Sequence, residues 1–392
     1  MERNYSVALN LARGLSAQLV LFGHSIAILG LFKWFQPPTF PYIQNVGVVV
    51  FFIISGGVIT YVIRANPVSI EEFIFDRATR IFTALVPALV LVAIADFFCA
   101  GPQYEGYETS IKIFVGNLLM MASYPKFGYF GTEFDFSLMR VPPFGSLRPI
   151  WTVAVEWWLY VFFGAIFLAP KLQLTWGRIG SFALVLMSVP VAFNNVFGGT
   201  GQGLALVWLF GAAYYRFIIE EKLLHGRPWL NVGMLCFTVL LIGFSRSLMA
   251  TWPFFDLRYS IFICAIIIFG AEIMRDFCAR ILPSVDGIAA FLAKYSYSLY
   301  LLHFTIVINL YSLIDDGASV ATKIGALACG LIASNAAAYL FWLAFESRYR
   351  DVRTVAQRWF RRGMGPRHIS AVGIPAADAS GNNIPAARSK RQ

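Results

Sequence analysis

Ten blocks of apolar residues run along this chain, and each is about the length of a membrane crossing. They fall near residues 7–30, 45–63, 79–98, 151–168, 179–195, 202–219, 229–246, 257–273, 288–311 and 322–346. A hydrocarbon core takes about 20 residues of helix to cross, because only a helix satisfies its own backbone polar groups there. The chain is therefore expected to be an all-α, polytopic bundle of about ten transmembrane helices. Charge supports this: only 13% of the 392 residues are charged, against roughly a quarter in a soluble domain. The stretch from Ile111 to Ser123 is too short to cross and reads as an interfacial or re-entrant element within the long 99–150 loop. No cleavable leader is expected, since the first block holds Arg13, Gln18 and His24 and ends in no small-residue cleavage site.

A net charge of +10 would suit a nucleic-acid partner, but the excess sits in short loops and in the C-terminal tail, where orientation signals belong. With the N-terminus in the cytoplasm, only Lys33, Lys112, Lys126, Arg140, Arg148, Arg246, Arg258 and Lys323 of the 31 basic residues fall outside. That asymmetry predicts cytoplasmic termini and membrane lipids as neighbours; no nucleic-acid partner is expected. The five cysteines lie scattered, mostly in apolar segments, without the clustering that a metal needs. No metal is expected.

Residues 1–347 read as one transmembrane domain and 348–392 as an appendage. Arg350, Arg353, Arg358, Arg361 and Arg362 make a basic juxtamembrane stretch suited to anionic headgroups. Beyond Gly363 the composition predicts disorder.

An ionisable side chain inside a span is costly unless it has a use or a partner. Arg13, near the inner end of the first span, and Arg77 with Arg80, at the inner entrance of the third, form a cytoplasmic layer; the plainer reading of the last two is that they anchor topology. His24, Glu156 and His303 sit at comparable depth in the outer half. A histidine with a carboxylate beside it is a base with an orienting partner, and a structural interhelical hydrogen bond is the simpler alternative. Arg13 and His24 are 11 residues apart, close to three turns, so they share a face with roughly 16 Å between them. Phosphate-binding cations at one end and a proton acceptor at the other suit a donor with a polyphosphate head and a reactive group on a long arm, such as an acyl-coenzyme A.

These residues resemble a known family, the acyltransferase type 3 membrane proteins, which O-acylate carbohydrates and related molecules. Arg13 and His24, with ten residues between them, are similar to its Arg-x10-His signature. Phe51-Phe-Ile-Ile-Ser55-Gly56 resembles its Phe-Phe-x-x-Ser-Gly run, and Arg77-Ala-Thr-Arg80 its Arg-x-x-Arg. Trp151-Thr-Val-Ala-Val-Glu156-Trp-Trp-Leu-Tyr160 is similar to its Trp-Ser-Leu-x-x-Glu-x-x-Phe-Tyr segment, and Ser296-Tyr-Ser-Leu-Tyr300-Leu-Leu-His303 to its Ser-Tyr-x-x-Tyr-x-x-His segment. Asn10 departs from a common Asp, Gly57 from a usual aromatic and Leu159 from a Phe. Some relatives carry a fused extracytoplasmic hydrolase-like domain; none is expected here, since the sequence ends soon after the last block.

The resemblance implies a ten-helix bundle in a bacterial cytoplasmic membrane and an acyl-CoA donor, with acetyl-CoA first. It implies Arg13, Arg77 and Arg80 near the coenzyme and His24 at the reaction centre. With Glu156 orienting His24, the expected chemistry is transfer to a hydroxyl of a carbohydrate or glycolipid acceptor such as exopolysaccharide or lipopolysaccharide. Ser55, Tyr160, Tyr300 and His303 are expected to line the substrate path. The rival is a transporter or flippase for a glycolipid or polysaccharide unit, disfavoured because no inverted repeat or paired broken helices are visible.

Overall fold

The computed structural model describes residues 3–364 except 38, 66–67, 100–106, 123–126, 130–131, 135–140, 169–175, 198–202, 248–256 and 316. The tail from 365 onward, predicted to be disordered, lies outside the described residues, as do Lys126 and Arg140. The chain divides into two compact units, Met1–Arg350 and Asp351–Gln392.

The first unit is built from helices α1 (Arg3–Ile28), α2 (Ile43–Ala65), α3 (Ile70–Phe98), α4 (Ile111–Leu118), α5 (Ile150–Leu168), α6 (Trp176–Phe197), α7 (Leu204–Ala213), α8 (Pro228–Ser247), α9 (Leu257–Ile273), α10 (Arg275–Lys294), α11 (Ser296–Tyr311) and α12 (Val320–Ala344). A π-helical turn, Tyr214–Glu220, continues α7. One small antiparallel hairpin, Phe127–Tyr129 with Thr132–Phe134, lies in the long loop. Among the described residues, every apolar block falls on helix. Among them, six segments are long and apolar enough to cross a membrane: α1, α2, α3, α5, α8 and one that starts with α12. A seventh is counted if α10 and α11 form one bent span. Helix α4, eight residues long, is as short as its sequence predicts.

The block at 288–311, expected to be one helix, is two. The chain breaks at Tyr295, and the axes of α10 and α11 differ by 54°. Opening a helix exposes backbone N–H groups that need partners. Here Glu346 supplies one from the far end of α12: its carboxylate accepts from Ser298 N at 3.2 Å and from Ser298 Oγ at 2.6 Å. A negative charge at a helix N-terminus is favourable. Across the same break, Tyr295 donates to Asn335 at 3.0 Å, and Asn335 is also tied to Gln18 of α1.

Small residues let α2 and α7 touch, as they do at many membrane helix interfaces. A methyl group added at Gly56 would meet the carbonyl of Trp208, and one at Gly211 the carbonyl of Ile53. The Ser-Gly pair that ends the Phe-Phe-x-x-Ser-Gly run is thus a packing element: Gly56 admits α7, and Ser55 accepts from the Trp208 indole at 3.2 Å. Asp351–Gln392 is described as far as Met364, where α13 (Tyr349–Met364) ends.

Candidate active site

Helices α1, α2, α3, α5 and α11 enclose a cavity of about 130 Å³, against the roughly 10–15 Å³ that admits one water. Its charged lining is Arg13, Arg77, Arg80 and Glu156, joined by Ser55, Tyr160, Tyr297 and Tyr300. The three arginines predicted to meet therefore do so.

Their pairing differs. Arg77 is bonded to its neighbour Asp76, and its Nε is buried without a partner among the described residues. Arg80 stands 3.6 Å from Glu346 and lies over the Tyr349 ring at 4.6 Å. Arg13 has no hydrogen bond or ion pair among the described residues. A guanidinium without a hydrogen-bond partner suits an anion, since its planar fork matches phosphate and carboxylate oxygens.

On the other wall, hydroxyls run in series. The Trp208 N–H donates to Ser55, Ser55 to Tyr160 at 2.9 Å, and Tyr160 to Glu156. Every proton in this row points towards the carboxylate, which is thereby held in place. Tyr160 and Glu156 are four residues apart on α5, one turn, so they share a face.

The two histidines lie elsewhere. His24 and His303 have ring centroids 5.3 Å apart, with Phe304 edge-on to His24, and neither lines the cavity. Tyr300 stands between: its ring meets Phe51 on the cavity wall at 5.5 Å and His303 at 5.9 Å. Thr152 gives its proton to the carbonyl of Pro149, so the Tyr300 hydroxyl donates to Thr152.

This bond accounts for a correction. The sequence reading sets Glu156 and His303 both level with His24, Glu156 as its orienting carboxylate; the structure keeps His303 beside His24 and sets Glu156 among the arginines. Counting depth from helix ends ignores stagger. Thr152 bonds Tyr300, and Glu156, four residues on, lies about 6 Å from it along α5 towards the arginines. His303, three residues on in the opposite direction, lies about 4.5 Å from Tyr300 along α11 away from them.

Several residues of the site carry no signal in the sequence analysis. Glu346 is 2% exposed and serves both Arg80 and α11, yet reads as the polar end of the last block. Asp76 and Thr152 act through contacts that spacing does not reveal. Trp208, buried and stacked on Phe163, looks like any core aromatic.

Comparison with known proteins gives the family. A family model described as "Acyltransferase domain", that of the acyltransferase type 3 proteins, matches residues 6–343. The chain belongs to this family and is a multi-pass membrane protein. It is similar to the "Exopolysaccharide production protein ExoZ" of Rhizobium meliloti strain 1021, with 29% identity over 267 residues, which cover 66% of this chain and 74% of that one. It is also similar to a Staphylococcus aureus strain COL protein bearing the name "Putative O-acetyltransferase", with 24% identity over 322 residues, or 75% of this chain and 51% of that one. The chain thus spans about half the length of the staphylococcal relatives it matches. No solved structure matches it.

Proposed function

We propose that the protein is an O-acyltransferase that carries an acyl group, acetyl first, from cytoplasmic acyl-CoA to a hydroxyl of an exported or surface carbohydrate. The observation that carries the reading is the unpaired Arg13, facing a cavity with Arg77 and Arg80, on the same helix face as His24 and roughly 16 Å from it. The phosphates of the donor bind the guanidiniums, and the pantetheine arm spans the distance past Phe51 and Tyr300. His24 takes the proton of the acceptor hydroxyl as its oxygen bonds to the thioester carbonyl carbon. The C–S bond breaks, and the proton passes from His24 to the sulfur. Glu156 belongs to the donor end in this scheme, where its charge offsets that of the arginines.

In this reading the chain crosses a bacterial cytoplasmic membrane about ten times, with both termini on the CoA side, as the basic loops favour. The names of the relatives, "Putative O-acetyltransferase" and "Exopolysaccharide production protein", support acetyl transfer to a polysaccharide; lipopolysaccharide or a glycolipid is the alternative acceptor. No metal enters the scheme. The test is acetyl transfer in proteoliposomes holding the purified protein, with labelled acetyl-CoA on the arginine side and polysaccharide from cells lacking the protein. Label in the polysaccharide is expected. Movement of a glycolipid across the vesicle without label transfer would favour the transporter.

A further inference from the structure

We infer that His303 is a positioning residue for His24, holding the base in one tautomer from behind, the place that sequence spacing gives to Glu156. The inference rests on the acyltransferase reading above. Its starting point is the proton on His303. Nδ1 lies 3.0 Å from the carbonyl of Leu299 and 2.9 Å from that of Tyr300. Carbonyls only accept, so Nδ1 carries the hydrogen and Nε2 keeps a lone pair.

That Nε2 is buried and has no partner among the described residues. A buried acceptor without a donor is costly, so it calls for one. The residue is 1% exposed, out of reach of a sugar hydroxyl. His24 is half-buried and adjacent, at 5.3 Å between ring centroids. The order is therefore substrate, His24, His303, backbone. When His24 turns one N–H onto Nε2, its other nitrogen is left bare to take the acceptor's proton. The imidazolium that forms is then stabilised by a chain of dipoles ending in two fixed carbonyls. A buried carboxylate does this work in serine hydrolases; here a neutral ring does it without adding a charge to the membrane interior.

The experiment compares His303→Phe and His303→Gln with the parent in the proteoliposome assay, reading kcat and the KM for acetyl-CoA. Phenylalanine keeps the ring and loses the acceptor; glutamine puts an oxygen near the position of Nε2. The expected result is a kcat about 10²-fold lower in the Phe variant, recovery of most of that loss in the Gln variant, and an unchanged KM in both. If the Phe variant does not fold, His303→Asn, polar but too short to reach, takes its place with the same expectation. Parental kcat in the Phe or Asn variant overturns the inference. So does a Gln variant that melts like the parent and is as inactive as the others. A parent that transfers no acetyl from acetyl-CoA overturns the acyltransferase reading itself, and this inference with it.

Discussion

Arg13 and Glu156 face the same cavity with opposite charges, and substitutions at either test donor binding. In the proposed scheme Arg13 meets a donor phosphate, and removing it loses a charge-assisted bond worth about 1.5–3 kcal/mol. Arg13→Ala is therefore expected to weaken acyl-CoA binding by roughly tenfold to a hundredfold, measured by equilibrium binding in detergent. Arg77→Ala and Arg80→Ala are expected to weaken it too and to leave the residual binding less sensitive to salt. Salt sensitivity and affinity equal to the parent's would mean that those two arginines anchor topology only. For Glu156→Gln, a change mainly in donor KM is expected, because the carboxylate sits with the arginines and is held by Tyr160. A loss confined to kcat would return Glu156 to the side of His24. At this scale the sequence was informative about identity and less so about partnership. Residue type and order marked Arg13, His24, Arg77, Arg80, Glu156 and His303. Which of them meet depends on the stagger fixed by the Thr152–Tyr300 bond, and no spacing along one helix reports the offset between two.

Helices show the same division between what a sequence states and what packing adds. All ten apolar blocks form helix, because apolar length needs no tertiary context. The break at Tyr295 does, since its cap is Glu346, 48 residues from Ser298. Glu346→Ala leaves Arg80 without its buried partner and Ser298 N–H without its acceptor. Leaving a buried N–H without its acceptor costs about 1–3 kcal/mol, while Arg80, 37% exposed, stays partly solvated, so the melting temperature is expected to fall. Glu346→Gln, which still accepts from Ser298, is expected to fall less. Equal melting of the parent and both variants would mean that the bend stands without this cap. A second test sits where α2 meets α7. Gly56→Ala places a methyl against the Trp208 carbonyl, and overpacking of that kind costs about 1–3 kcal/mol. Thermal melting is again the readout, and a variant as stable as the parent would show that the two helices have room to spare.

For the whole molecule, the account depends on which end of the bundle faces the coenzyme. The loops carry the answer: a reporter fused after Arg362 is expected to read cytoplasmic and one inserted at Glu133 extracytoplasmic. The opposite result at both sites would put the arginine cavity on the wrong side of the membrane. Given that orientation, the central claim is that two levels of α1 divide the work, with the donor's phosphates at Arg13 and the chemistry at His24. Single-turnover acetyl transfer by purified His24→Ala protein, saturated with acetyl-CoA and matched to the parent in melting, tests it most directly. The account predicts undiminished acetyl-CoA binding with transfer slowed by about 10²–10⁴-fold; transfer at the parent's rate would contradict it.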